Sequence, residues 1–322
     1  MNDILLDIFK TGIVPVVALN DVSEALPTAD ALVSGGINCI EVTFRTLAAE
    51  ESINSISKKN TKILIGAGTV LSIDQVNKAI DAGAKFLVTP GINKKIIEYC
   101  IKKGILIIPG CSTPSDIETA IEFGLNTVKF FPSESLGGIN MIKAISAAYS
   151  GVKFLPTGGI NLKNLNSYFL FDKIVACGGT WIANSELIKN KKYDEIVKLS
   201  KEALRVMFGF EVSHIGINSV DIDIANKITD NFRELFLFEK IEKSKSFFAG
   251  NSLEIMKNKF LGKCGHIAIS TTNVLRAVYY LEKKGILFDK NTESYDKLGN
   301  LSTIYLKEEI GCFAVHLIKK QN

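Results

Sequence analysis

Lys129 lies within TVKFFPS (127–133), with Val128, Phe130 and Phe131 as neighbours. Side chains alternate along a strand, so Thr127, Lys129 and Phe131 share one face, and in a closed barrel that face can be the interior. An ammonium buried among aromatic rings gives up its proton more readily than one in water, which leaves a neutral amine. Such an amine condenses with a ketone to give a Schiff base, and the protonated imine is an electron sink for C–C cleavage. The competing reading is a lysine that points outward and snorkels to water. This chemistry also needs a proton shuttle, and Glu41 in IEVTFR (40–45) can serve, because apolar neighbours make a carboxyl hold its proton. Alternatively, Glu41 forms a structural salt bridge with Arg45, four residues on. Arg45 offers a planar fork for a carboxylate, and is otherwise a surface residue. Thr69 of GAGTV (66–70) adds a hydroxyl beside closely approaching backbone.

Two glycine pairs stand out in TGGIN (157–161) and CGGTW (177–181). Each alone is a turn. Together, at the ends of two consecutive strands, Gly158, Gly159, Gly178 and Gly179 are suited to hold a phosphate on backbone N–H groups, with the Thr180 hydroxyl beside them. A last set lies far downstream. All three histidines, His214, His266 and His316, fall beyond residue 210, and SHIGINS (213–219) resembles GHIAIST (265–271) while LEIMK (253–257) resembles VHLIK (315–319). Glu254 and His316 occupy equivalent places in the second pair of segments. Two repeats with two ligands each give a 3-His-1-Glu set that suits zinc, nickel, manganese or iron. If the four converge, their donor atoms should lie within about 3–4.5 Å of one another. The bland alternative is a set of strand histidines in a metal-free cavity.

Residues scattered in this way need a scaffold. Short apolar segments recur at 12–19, 39–44, 63–70, 86–91, 106–112, 127–133, 153–159 and 174–180, separated by helical patterns such as DVSEALPTADALVSGG and SIDQVNKAIDAG. Each of these two opens on an N-capping Asp or Ser and closes on glycine. Strands alternating with helices pair in parallel, and eight units of about 20–25 residues fit a (βα)8 TIM barrel; an open doubly wound sheet is the competitor. Polar residues cluster at the C-terminal ends of these strands, including Pro90 of VTPG. In a barrel those ends converge on one rim, where active sites are built. The pattern changes near Gly209–Ser213, which sets domains at 1–209 and 210–322. The second is expected to be a smaller α+β domain of paired modules of about fifty residues each.

Composition narrows the classes. Residues 1–210 hold 22 basic and 20 acidic side chains, and residues 211–322 hold 16 and 14, so neither part has the basic excess that nucleic-acid binding requires. No apolar run has membrane-spanning length, and MNDILLDIFK carries acids where a signal peptide has a basic start. Six scattered cysteines without a CxxC pair read as reduced core residues of a cytoplasmic protein.

IEVTFRT, GAGTVL, VTPG, IPGCSTPSD, KFFPSE, PTGGI and CGGTW, in this order, resemble the 2-dehydro-3-deoxy-phosphogluconate (KDPG)/4-hydroxy-2-oxoglutarate aldolase family over about residues 1–207. The resemblance implies a class I pyruvate aldolase, usually trimeric, that needs no cofactor beyond its Schiff-base lysine. By motif match, Lys129 forms the imine and Glu41 is the general acid/base. Arg45 and Thr69 hold the pyruvate carboxylate, Pro90 lines the pocket, and Gly158, Gly159, Gly178, Gly179 and Thr180 cradle the phosphate. KFFPSE replaces the more usual KFFPAE, and Thr180 replaces a serine. Residues 212–320 resemble the vicinal oxygen chelate (glyoxalase/bleomycin-resistance-like) superfamily, which implies paired βαβββ modules and a divalent metal on His214, Glu254, His266 and His316. His316 departs from the usual glutamate, and many members bind no metal. The expected reaction is reversible cleavage of 2-dehydro-3-deoxy-6-phosphogluconate to pyruvate and glyceraldehyde 3-phosphate. Alternatives are the galactonate epimer, 4-hydroxy-2-oxoglutarate, a phosphate-binding isomerase without an imine, and a sensor in which the second domain gates the barrel.

Overall fold

The computed structural model describes residues 3–59 and 62–320. The chain divides by contacts into two units, Met1–Met207 and Phe208–Asn322.

In the first unit the strands are β1 (Ile13–Val17), β2 (Cys39–Thr43), β3 (Leu64–Gly68), β4 (Phe86–Val88), β5 (Leu106–Ile108), β6 (Gly110–Cys111), β7 (Thr127–Phe130), β8 (Lys153–Pro156) and β9 (Cys177–Gly179). One sheet runs β5-β4-β3-β2-β1-β9 and another β6-β7-β8, all in parallel. Pro109, which has no N–H to give the ladder, separates β5 from β6, yet its carbonyl still accepts from Lys129 N at 2.9 Å. The two pieces are therefore one interrupted strand. Bridges from Phe154 to Ile174 and from Thr157 to Gly178 join β8 to the β9 segment, so the pairing runs round eight strands and closes on β1. The eighth segment is regular only at Cys177–Gly179, shorter than the apolar run 174–180.

The helices follow the capping signals. Ser72, Asn93 and Thr113 each accept a backbone N–H at the start of Ile73–Asp81, Lys94–Lys102 and Pro114–Glu122. Asp21 caps a short 3-10 turn, Val22–Glu24, and the α-helix Ala25–Ser34 continues from it. Leu5 and Ile8 of the first helix, Asp3–Thr11, pack with Val14, Phe86, Ile108 and Leu155. Each such side chain contributes about 1.5–3 kcal/mol by leaving water.

The second unit repeats one order of elements. First come β10 (Glu211–Ile217), helix Ile222–Phe236, β11 (Lys240–Glu242), β12 (Ser246–Ala249) and β13 (Leu253–Met256). Then come β14 (Gly265–Thr271), helix Val274–Glu282, β15 (Phe288–Tyr295), β16 (Leu301–Leu306) and β17 (Phe313–Lys319). They form one sheet in the order β11-β12-β13-β10-β14-β17-β16-β15, so the opening strands of the two repeats meet at the centre. Asp221 and Asn273 cap the two helices at equivalent points. Four cysteines (Cys39, Cys100, Cys111 and Cys177) are buried as expected, but Cys264 and Cys312 are exposed. Both immediately precede strands of the second unit, Cys264 before β14 and Cys312 before β17, and the Cys264 N–H donates to the Cys312 carbonyl at 2.9 Å. Among the described residues, no helix is long and apolar enough to cross a membrane.

Candidate functional site

The strand ends of the first unit surround a cavity of about 480 Å³. Lys129 enters it from β7 and Glu41 from β2, because both occupy inward positions of strands whose every residue is buried. Lys129 is therefore not a snorkelling lysine: it is 5% exposed. Its Nζ lies 3.6 Å from Glu41 Oε1 and 5.1 Å from the centre of the Phe131 ring. Both carboxylate oxygens of Glu41 are buried without a hydrogen-bond partner. A buried polar group left unpaired in this way marks a place where another polar atom belongs. The berth for the carboxylate is the missing side chain of Gly68, where a Cβ would fall 2.0 Å from Glu41 Oε1.

Arg45 turns its Nε to Thr43 Oγ1 at 3.1 Å, and Thr43 is anchored in turn to the Val17 carbonyl at 2.9 Å. That arrangement orients the guanidinium within the cavity lining, which Thr69, Pro90, Gly158, Gly159, Gly179 and Thr180 share. Thr69 holds φ at 55°, a left-handed conformation that costs a β-branched residue about 1–3 kcal/mol and is kept where the surroundings enforce it. Gly158 and Gly159 have φ of 99° and 79°, which expose their backbone in a way other residues rarely match. Gly178 does not line the cavity. It is in ladder register with Val14 and is covered by the Thr157 side chain, whose Oγ1 lies 2.4 Å from where a Gly178 Cβ would fall. Val16, Thr43, Phe131, Thr157, Ile160 and Asn161 also line the cavity, beyond the residues expected from sequence. Among them Thr157 has a buried hydroxyl with no partner, and its signal in the sequence is the threonine that opens the glycine pair of PTGGI.

A carboxyl and an amine that face each other, a clamped guanidinium and a glycine-rich rim can form an imine, move a proton and hold an anion at each end. The model of the KDPG and KHG aldolase family matches residues 6–199. The chain belongs to that family. Over 198 residues the aldolase segment is 44% identical to the 2-dehydro-3-deoxy-phosphogluconate aldolase of Treponema pallidum, covering 62% of this chain and 94% of that protein. It is 37% identical to the KHG/KDPG aldolase of Escherichia coli, over 61% of this chain and 93% of that one. A crystal structure of KDPG aldolase from Legionella pneumophila, with pyruvate captured as a covalent carbinolamine intermediate, matches at a TM-score of 0.59 and 38% identity. That match covers 61% of this chain and 96% of that one.

The second unit of this aldolase-family chain has its own cluster. Cross-strand register puts His266 opposite Gly216, which pairs with Glu254, and puts His214 and His316 in one row through Ala268. All four ligand candidates thus share one sheet face. His214 Nε2 and His266 Nε2 lie 3.1 and 3.0 Å from Glu254 Oε2 and 3.3 Å from each other. Ligand nitrogens of the three histidines lie within 4.8 Å of one another. Burial, with His266 and His214 beside it, pushes the His316 imidazole down to about 3, so it is neutral at physiological pH. Both His316 ring nitrogens and His266 Nδ1 are buried without partners. Burial alone would raise Glu254, but hydrogen bonds from His214, His266 and Ser246 outweigh it and hold the carboxyl well below its usual range.

Proposed function

We propose that the first unit reversibly cleaves 2-dehydro-3-deoxy-6-phosphogluconate to pyruvate and glyceraldehyde 3-phosphate through an imine on Lys129. The observation that carries this reading is the buried Lys129–Glu41 pair at 3.6 Å, with both Glu41 oxygens unpartnered, in the strand-end cavity. The Lys129 amine adds to the C2 ketone and water leaves as the iminium forms. Glu41 takes the proton of the C4 hydroxyl, the C3–C4 electron pair moves into the iminium, and the aldehyde departs. The enamine then regains a proton at C3 from Glu41, and water releases pyruvate and the free amine. Arg45 and Thr69 hold the carboxylate beside C2, with Pro90 lining that end. Gly158, Gly159 and Gly179 with Thr180 hold the phosphate. The same machinery cleaves 4-hydroxy-2-oxoglutarate to pyruvate and glyoxylate. The barrel is further proposed to assemble as a homotrimer, the state that the family resemblance implies.

The test is borohydride reduction with pyruvate, followed by peptide mapping. A stable adduct on Lys129 is expected. Equal labelling of a Lys129→Ala protein refutes the imine, and turnover of the galactonate epimer in preference reassigns the substrate.

For the second unit we infer a paired-module domain of vicinal-oxygen-chelate type that holds a divalent ion on His214, Glu254, His266 and His316. The unpartnered ring nitrogens of two buried, closely set histidines support the fit. A bound ion would act as a Lewis acid toward an oxygen of a small ligand. The residues themselves supply three imidazoles and one carboxylate on a single sheet face.

A further inference from the structure

We infer that Ser133, Glu134 and Tyr168 act as a clamp that positions the Thr157–Gly159 segment for the phosphoryl end of the substrate, a specificity device separate from the chemistry at Lys129. The inference rests on the phosphate reading above. None of the three lines the cavity. Instead they hold the segment that does. Ser133 N donates to the Thr157 carbonyl at 2.8 Å, and Glu134 N donates to the Gly158 carbonyl at 3.0 Å. The Glu134 side chain lies against Gly159, where a Cβ would fall 2.6 Å from Glu134 Cβ.

Tyr168, in helix Leu165–Phe169, is fully buried and closes the clamp from beneath. Its hydroxyl donates to the Glu134 carboxylate and lies 2.9 Å from Ser133 Oγ, which can donate to it in return. Burial, then the acceptor Glu134, pushes the phenol upward, so it keeps its proton at neutral pH. Gly138 leaves the space for this junction: a Cβ there would meet Glu134 Oε1 at 2.7 Å and the Tyr168 hydroxyl at 3.1 Å. Glu134 carries an acidic side chain next to the segment proposed to bind a dianion. Tethering it to Tyr168 fixes where that side chain lies relative to the segment. Ser133, at the alanine position of the usual KFFPAE, adds a hydrogen bond to the tether.

The prediction is a loss confined to phosphorylated ligands. Tyr168→Phe should raise KM for 2-dehydro-3-deoxy-6-phosphogluconate, and the inhibition constant of inorganic phosphate, about tenfold relative to its effect on KM for 4-hydroxy-2-oxoglutarate. Ser133→Ala, which keeps the Tyr168–Glu134 bond and demands little of the fold, should shift both in the same direction by about two- to threefold. Equal losses on both substrates would mean a merely structural role and overturn the clamp. So would unchanged phosphate inhibition in both variants when the unsubstituted protein is inhibited normally. An unsubstituted protein that phosphate does not inhibit, and that does not prefer the phosphorylated substrate, removes the phosphate site itself and the clamp with it.

Discussion

Replacing Gly68 by alanine isolates the position of Glu41 from its chemistry. The added Cβ falls 2.0 Å from Glu41 Oε1, and ordinary contact begins at 3.4 Å, so the carboxylate must retreat by about 1.4 Å or the strand must give. Gly68 is not among the residues of positive φ, so alanine fits its backbone, and the cost to folding is overpacking of about 1–3 kcal/mol. The carboxylate begins 3.6 Å from Lys129 Nζ, and a misplacement near 1 Å is enough to slow a positioned proton transfer about 10²-fold. The assay is exchange of pyruvate methyl protons in deuterated water, followed by NMR, which reports enamine formation without the aldehyde half of the reaction. Exchange should slow about 10²-fold while borohydride still traps pyruvate on Lys129. A folded Gly68→Ala protein that exchanges within about threefold of the unsubstituted one refutes the assignment of Glu41 as the proton carrier in this geometry.

Glu41→Gln should lower turnover by roughly 10²–10⁴-fold with imine trapping largely intact, and an unchanged rate removes Glu41 from the mechanism. In the second unit, a Cβ on Gly216 would sit 2.0 Å from His266 Cε1, so Gly216→Ala should weaken binding of a divalent ion, read by calorimetry, by about 10–100-fold without touching pyruvate trapping. Equal affinity would place the ion elsewhere. Residues 1–207 expressed alone should keep imine trapping and turnover, since contacts divide the chain at Met207; loss of turnover with trapping intact would favour a gating second unit.

Much of the barrel site was legible because charge interrupts apolar strands. Lys129 and Glu41 announce themselves among Val, Ile and Phe, and the strand period says which neighbours share their face, while the fold decides that this face is the interior. Arg45 was ambiguous because sequence distance alone made it a partner for Glu41; in the folded chain it is Thr43 that takes its Nε. What the sequence hid is mostly about what lies opposite. Gly68 and Gly216 look like ordinary strand glycines until Glu41 and His266 are found in the spaces they leave. Likewise, Tyr168 reads as a core aromatic, and its tie to Ser133 and Glu134 joins residues 34 and 35 positions apart. The histidine set was visible because duplication aligned it. Its absolute face was not, since that depends on the pairing of β10 with both β13 and β14.

The two units differ in one respect that bears on how the chain behaves in a crowded solution. A ring of strands has no margin, whereas the sheet of the second unit ends at β11 on one side and β15 on the other. An unpaired margin can recruit a strand from another copy and start aggregation. Both margins here carry deterrents. β11 has three residues, two of them Lys240 and Glu242. β15 carries Asp289, Lys290 and Glu293, and its pairing with β16 breaks register between Asp289 and Ser294 and again before Tyr295. A neighbouring chain would have to match those charges and irregularities to add on. The same charges that do nothing for the buried histidines therefore keep the sheet from growing, and replacing Lys290 and Glu293 with valine would remove that protection.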